Sequence, residues 1–149
     1  MTGTSAGTEV TVTLRLPPSA AHVRTARLIA AAMARRTGVE DTVLDEVRLA
    51  VGEACARAVR VQERQGIGSP VTVEFGETGR FRVSVVDGAK VGSGDEPTGS
   101  SNGLPTAAPW ADPSGDALGL ALLGAVVSDL AVDHDAAGGT RVTMSWPLG

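Results

Sequence analysis

The chain has 149 residues, of which 42% are hydrophobic and 20% charged, and its formal net charge is −4. This length predicts a single domain whose core needs no metal or disulfide. The acidic charge argues against a nucleic-acid groove, which requires clustered Lys and Arg. Cys55 is the only cysteine, and no segment reaches the ~20 apolar residues of a membrane span, so we expect a cytoplasmic protein with no membrane contact.

The first half of the chain predicts one strand followed by two helices. Residues 1–8 are small and polar, and we expect them to form a disordered tail. Hydrophobic and polar residues alternate over 9–16, which indicates a half-buried strand that ends at a Pro-Pro-Ser sequence. Apolar residues at helical spacing then predict helices over 20–36 and 41–65.

The second half of the chain predicts four strands and a third helix around a long irregular segment. Residues 88–116 are rich in Gly, Pro, Ser and Asp and show no periodicity, which predicts a flexible lid. Residues 76–79 are typical of a hairpin turn. The predicted elements are strands at 70–75 and 80–86, a helix at 117–129, and strands at 130–134 and 141–146.

This order of elements predicts an α+β fold. A single domain over 9–149, with its lid at about 88–116, would pack the helices on one face of a mixed sheet as a two-layer α/β sandwich. Neither histidine of the chain lies near a cluster of Cys or carboxylates at ligand spacing, so we expect no metal site in this domain.

Four short motifs occur in order along the predicted fold. They are residues 49–59, with Glu53 and Arg57; Asp87-Gly88 at the end of a strand; residues 118–123, with Gly119; and residues 138–144, with Thr140. Together the motifs resemble the N-box and the later nucleotide motifs of the anti-sigma-factor serine kinases, a family within the GHKL (histidine kinase-like, Bergerat-fold) ATPase superfamily. The resemblance implies the two-layer Bergerat fold and a potential ATP site.

The resemblance also assigns roles to individual residues. It implies that Asp87 binds the adenine amino group and that Arg57, Gly88, Gly119 and Thr140 lie at nucleotide-contacting positions. Considered without the family, Asp87 either accepts hydrogen bonds from a base edge or forms an ordinary Asp-Gly turn. Gly119 either lets a phosphate approach a helix N-terminus or allows tight packing of a helix on the sheet.

The helical motif departs from the family at the metal position. The resemblance makes Glu53 the general base of a serine kinase, and the family has a Mg²⁺-ligating Asn at the position of Arg57. A guanidinium has no lone pair for a metal, so Mg²⁺ ligation is lost there. Arg57 either pairs with Glu53 on an exposed helix face or reaches nucleotide phosphates. Ala89 and Val91 also replace family glycines, so we expect weak or absent ATP binding.

The resemblance leaves two alternative functions. The first is an anti-sigma-factor-like regulator that binds a sigma factor, is controlled by a STAS-type anti-anti-sigma partner and has a degenerate ATP site. The alternative is an active ATP-dependent protein serine kinase that phosphorylates the STAS antagonist. We favour the first, because Arg57 argues against phosphoryl transfer, and we expect Arg15, Arg24 and Arg27 to bind the partner. Such a row of arginines is also typical of a solvated face, and the sequence leaves homodimerisation open.

Overall fold

The computed structural model describes residues 10–89, 116–134 and 139–149. The described strands are β1 (Val10–Leu16), β2 (Val71–Glu77), β3 (Arg80–Asp87), β4 (Asp129–His134) and β5 (Thr140–Pro147), and the helices are α1 (Val23–Thr37), α2 (Leu44–Gln65) and α3 (Asp116–Val126). Short 3₁₀ turns at Ala20–His22 and Asp41–Val43 lead into α1 and α2. The predicted tail, and residues 90–115 of the predicted lid, lie outside the described residues.

Every predicted strand and helix occurs in the predicted order, and the boundaries follow local capping. The Ser19 hydroxyl accepts a hydrogen bond from the Ala21 N–H at 3.3 Å, which caps the turn before α1. Gly38 and Gly66 adopt φ values of +108° and +68° and end α1 and α2, since a left-handed residue costs glycine little. The third helix ends at Val126, earlier than predicted.

The five strands form one sheet in the order β1-β2-β3-β5-β4. All four pairings between these strands are antiparallel, so the expected mixed sheet was wrong in this respect. One helix separates β3 from β4 along the chain, a connection that favours parallel strands. In the structure, however, β5 lies between them, and no parallel neighbours form among the described strands.

The core lies between the sheet and the helices on one face, which confirms the two-layer α+β architecture. The helices contribute mainly small side chains, and the sheet contributes Val, Phe, Met and Trp. Fully buried alanines such as Ala30 and Ala54 let α1 and α2 approach closely. The opposite face of β1 carries the exposed residues Thr11, Thr13 and Arg15. In the part of the chain that is described, no helix is both long and apolar enough to cross a bilayer.

Candidate functional site

The site predicted from the motifs lies where α2 crosses the end of β3. Arg57 does not lie on the exposed face of α2 beside Glu53, where it was expected. The Arg57 side chain is only 9% exposed. It follows Ala54 by three residues and precedes Ala58, both fully buried, so it belongs to the buried face of the helix.

Arg57 pairs with Asp87 and not with Glu53. Its Nη1 donates to Oδ2 of Asp87 at 2.9 Å, and the Asp87 side chain is 1% exposed. Glu53 instead lies 3.7 Å from Nη2 of Arg60, two turns further along α2, and remains about one-third exposed. The predicted i, i+4 pair was therefore wrong, because the helix rotation directs Arg57 towards β3 and leaves Glu53 at the rim.

The second oxygen of Asp87 is also engaged. The Ala89 N–H donates to Oδ1 at 2.9 Å, which closes a local turn at the end of β3. The carboxylate therefore has a charged partner on one oxygen and a backbone partner on the other, while almost none of its surface is exposed. Asp87 forms the Asp-Gly turn that the sequence offered as one explanation, and it adds a buried ion pair.

The corner of the fold where α2 meets the end of β3 also contains Gln62, which sequence reasoning missed. Its side chain is fully buried. Its Oε1 accepts from the Gly88 N–H at 2.8 Å, and its Nε2 donates to the carbonyl of Ser69 at 2.7 Å. Its spacing could have identified it as buried, since Gln62 lies seven residues after the buried Cys55 on the same face of α2. A polar residue at that position must find internal partners.

The closing motif packs against the backbone of Asp87. Thr140 is 2% exposed and lies opposite Asp87 in the β3–β5 register. Its Oγ1 is 3.1 Å from Nδ1 of His134 on the neighbouring strand. Gly139 has a φ of +107°, and a Cβ there would lie 2.6 Å from the Asp87 carbonyl oxygen. The glycine is therefore required by close approach as well as by the turn.

Of the other predicted nucleotide positions, Gly88 lies in this corner and is partly buried. Gly119 is the fourth residue of α3. Its place at the beginning of the third helix agrees with the predicted motif, but the residues that precede α3 are outside the described part of the chain.

The three arginines proposed for partner binding do not share one surface. Arg24 and Arg27 are exposed on α1 and line a groove of about 430 Å³ together with Leu28 and Arg48. The stem of Arg27 lies across α2, where a Cβ at Gly52 would come within 2.7 Å of Arg27 Cδ. Arg15 lies on the opposite face of the sheet, on the edge strand β1.

These contacts allow a test of whether the corner fits a Mg²⁺-nucleotide. To bind an adenine as the resemblance implies, Asp87 would have to accept from the base, but its two oxygens are already engaged and its side chain is 1% exposed. Arg57 occupies the space beside it and offers only donors. No group of three His, Cys, Asp or Glu residues suitable for a metal occurs in the described ranges. The described residues therefore do not fit a Mg²⁺-nucleotide bound in the way that the resemblance implies.

Comparison with known proteins identifies the fold. A profile of the histidine kinase-like ATPase domain family matches residues 16–146. The chain is similar to the RsbU and RsbW domains of Rv1364c from Mycobacterium tuberculosis (TM-score 0.65, 20% identity), covering 93% of this chain and 32% of that one. It is also similar to the SiaB–SiaC complex from Pseudomonas aeruginosa (TM-score 0.60, 15% identity), covering 90% and 88%.

At these identities the two structures show a shared fold and nothing more. The chain spans about a third of the length of the Rv1364c chain it matches. No match is found among curated proteins.

Proposed function

Because the chain belongs to the histidine kinase-like ATPase domain family, we propose that it is a partner-switching regulator that acts by binding proteins. In its finer form, the proposal is an anti-sigma-factor-like protein that binds a sigma factor and is controlled by a STAS-type anti-anti-sigma partner. Both similar structures share this fold and one of them is a complex of two proteins, which supports the coarser statement. The finer statement comes from the resemblance of the motifs.

The observation that carries the proposal is the buried Arg57–Asp87 pair. The resemblance to the serine kinases implies a metal ligand at position 57 and a base-binding carboxylate at position 87, and here the two side chains bind one another. Arg57 cannot bridge phosphates as an octahedral Mg²⁺ does. Since the chemistry of phosphoryl transfer depends on that metal, protein binding is the function that the domain can retain without it.

The exposed side of α1 and α2 is the proposed partner surface. Leu28 is 60% exposed and Leu49 is 54% exposed, and Leu28 borders the groove lined by Arg24 and Arg27. A surface that combines exposed leucines with arginines, on a chain of net charge −4, suits a partner segment that is acidic and apolar. Arg15 is proposed as a second contact, which a partner reaches around the edge strand β1.

The test begins with copurification of the full chain from its native host, with identification of the bound proteins by mass spectrometry. We expect a sigma factor or a STAS-domain protein. Binding kinetics of the purified pair are then measured for Arg24→Glu and Arg27→Glu, with Arg35→Glu on the same helix as the control. We expect slower association for the first two variants, because charges at an interface rim mainly steer encounter.

The kinase alternative has its own readout in the same experiment. Incubation of the chain with labelled ATP, Mg²⁺ and the recovered STAS protein should leave that protein unphosphorylated. Stoichiometric transfer to a serine would instead establish the kinase, with Glu53 as the candidate base, since its carboxylate remains one-third exposed. Recovery of neither a sigma factor nor a STAS protein would contradict the finer proposal.

A further inference from the structure

We propose that Arg57 is a built-in ligand of Asp87, so that the nucleotide site of this domain is closed by its own side chain. The loss of the metal-binding Asn would then be only half of the change. The other half is that the arginine replacing it takes the carboxylate that a base would need.

Arg57 and Asp87 have the geometry of a strong ion pair. A distance of 2.9 Å between Nη1 and Oδ2 is that of a charge-assisted hydrogen bond. Both side chains are at least nine-tenths buried. A buried arginine requires an anion, and in the described part of the chain Asp87 is the anion that Arg57 contacts. A ligand that took Asp87 would leave the guanidinium buried and unpaired, which is strongly unfavourable.

Helix α2 holds the segment 87–89 at two successive turns. Arg57 binds the side chain of Asp87, and Gln62, five residues later, accepts from the Gly88 N–H at 2.8 Å. Ala89 is itself 2% exposed and donates to Asp87. Gln62 and the local turn therefore hold the strand end in place, and Arg57 is the helix side chain that binds the Asp87 carboxylate.

One hydrogen-bond donor of Arg57 is unsatisfied among the described residues. The Nε of Arg57 is buried and has no hydrogen-bond partner in the described structure. A buried unsatisfied donor is unfavourable, so this orientation of the side chain has an energetic cost. The guanidinium instead directs its terminal nitrogen at Asp87 at the expense of Nε. In the described structure the guanidinium therefore depends on Asp87 as its partner.

The first experiment measures binding of ATP and of ADP, without Mg²⁺, by calorimetry. The wild-type protein should bind each nucleotide with a dissociation constant in the millimolar range or weaker. Arg57→Asn should bind at least tenfold more tightly, because the carboxylate is released. The double variant Arg57→Asn/Asp87→Asn should lose that gain, and Arg60→Asn, which removes a charge from the same helix, should behave as wild type. Micromolar binding by wild type, or no gain in folded Arg57→Asn, would overturn the proposal.

The second experiment examines the wild-type protein directly and remains informative if the variants fold poorly. Hydrogen exchange of the arginine Nη–H groups, which include the Arg57 donor to Asp87, is measured by NMR in the absence of nucleotide. We expect the Arg57 proton to exchange at least tenfold more slowly than those of the exposed Arg24 and Arg27. Exchange of Arg57 at the rate of these surface arginines would show that the pair does not persist, and the site would not be closed.

Discussion

Replacing Asp87 by Asn removes one charge from the buried pair while it keeps the shape of the side chain. The amide oxygen can still accept from the Ala89 N–H, but the amide group offers no charge to Arg57. The guanidinium then remains buried, with 9% of its side chain exposed and no anion beside it. Arg57→Met is the complementary change, because it leaves the Asp87 carboxylate buried without its cation.

The magnitude follows from the geometry of the pair. At 2.9 Å and an effective dielectric constant of about 20, the attraction between unit charges is about 6 kcal/mol. Desolvation offsets most of it, and loss of one member of a buried pair typically costs about 3–5 kcal/mol. For a domain of this size that corresponds to a decrease in Tm of roughly 6–20 °C. The double variant Arg57→Met/Asp87→Asn should lie within about 1 kcal/mol of wild type, or above it, since both charges are gone.

Urea unfolding followed by circular dichroism gives the free energy of unfolding of all four proteins. The expected pattern is two strongly destabilised single variants and a recovered double variant, which means a large coupling energy between the two positions. Single variants within about 1 kcal/mol of wild type would refute the reasoning. A double variant as unstable as the sum of the two singles would refute it equally, because the two side chains would then act independently.

Three further predictions concern the surroundings of the site. Gly139→Ala should destabilise the fold by more than about 2 kcal/mol, since its Cβ would meet the Asp87 carbonyl. Gly79 also has a positive φ but has open space around it, so Gly79→Ala should cost about 1 kcal/mol. The midpoints of urea unfolding compare the two variants. Gln62→Leu should cost about 2–3 kcal/mol in the same assay, because the Gly88 N–H and the Ser69 carbonyl lose their partner. Burial raises the pKa of the Cys55 thiol from 9.0 to about 12, so native protein at pH 8 should not react with a thiol reagent that labels it in urea. Since the unfolded thiol ionises first, stability should fall by about 1 kcal/mol between pH 8 and pH 10, and Cys55→Ala should reduce that slope.

The sequence alone determined the elements, their order and most of their ends. Alternation in β1 and helical spacing in α1 and α2 are short-range patterns, and Gly38 and Gly66 stop their helices by a local property of glycine. The family was also accessible, since its motifs lie within single elements or at their ends. These features need no knowledge of which element packs against which.

The tertiary structure decided the partners of the charged side chains. Glu53 and Arg57 stand four residues apart, and a local rule pairs them. In the fold, Arg57 lies on the buried side of α2, and the end of β3 brings Asp87 to it from thirty residues away along the chain. A buried cation must take the nearest anion, whereas Glu53 at the rim can rely on water and Arg60.

The same distinction explains the sheet and the arginine surface. The order β1-β2-β3-β5-β4 places β5 beside β3. This order depends on long-range strand pairing, which the hydrophobic periodicity of single elements does not predict. Arg15 was grouped with Arg24 and Arg27, but the helices pack on the other face of the sheet, so the three side chains do not share a surface. The sequence thus specifies which side chains each element carries, and packing of the elements determines which of those side chains meet.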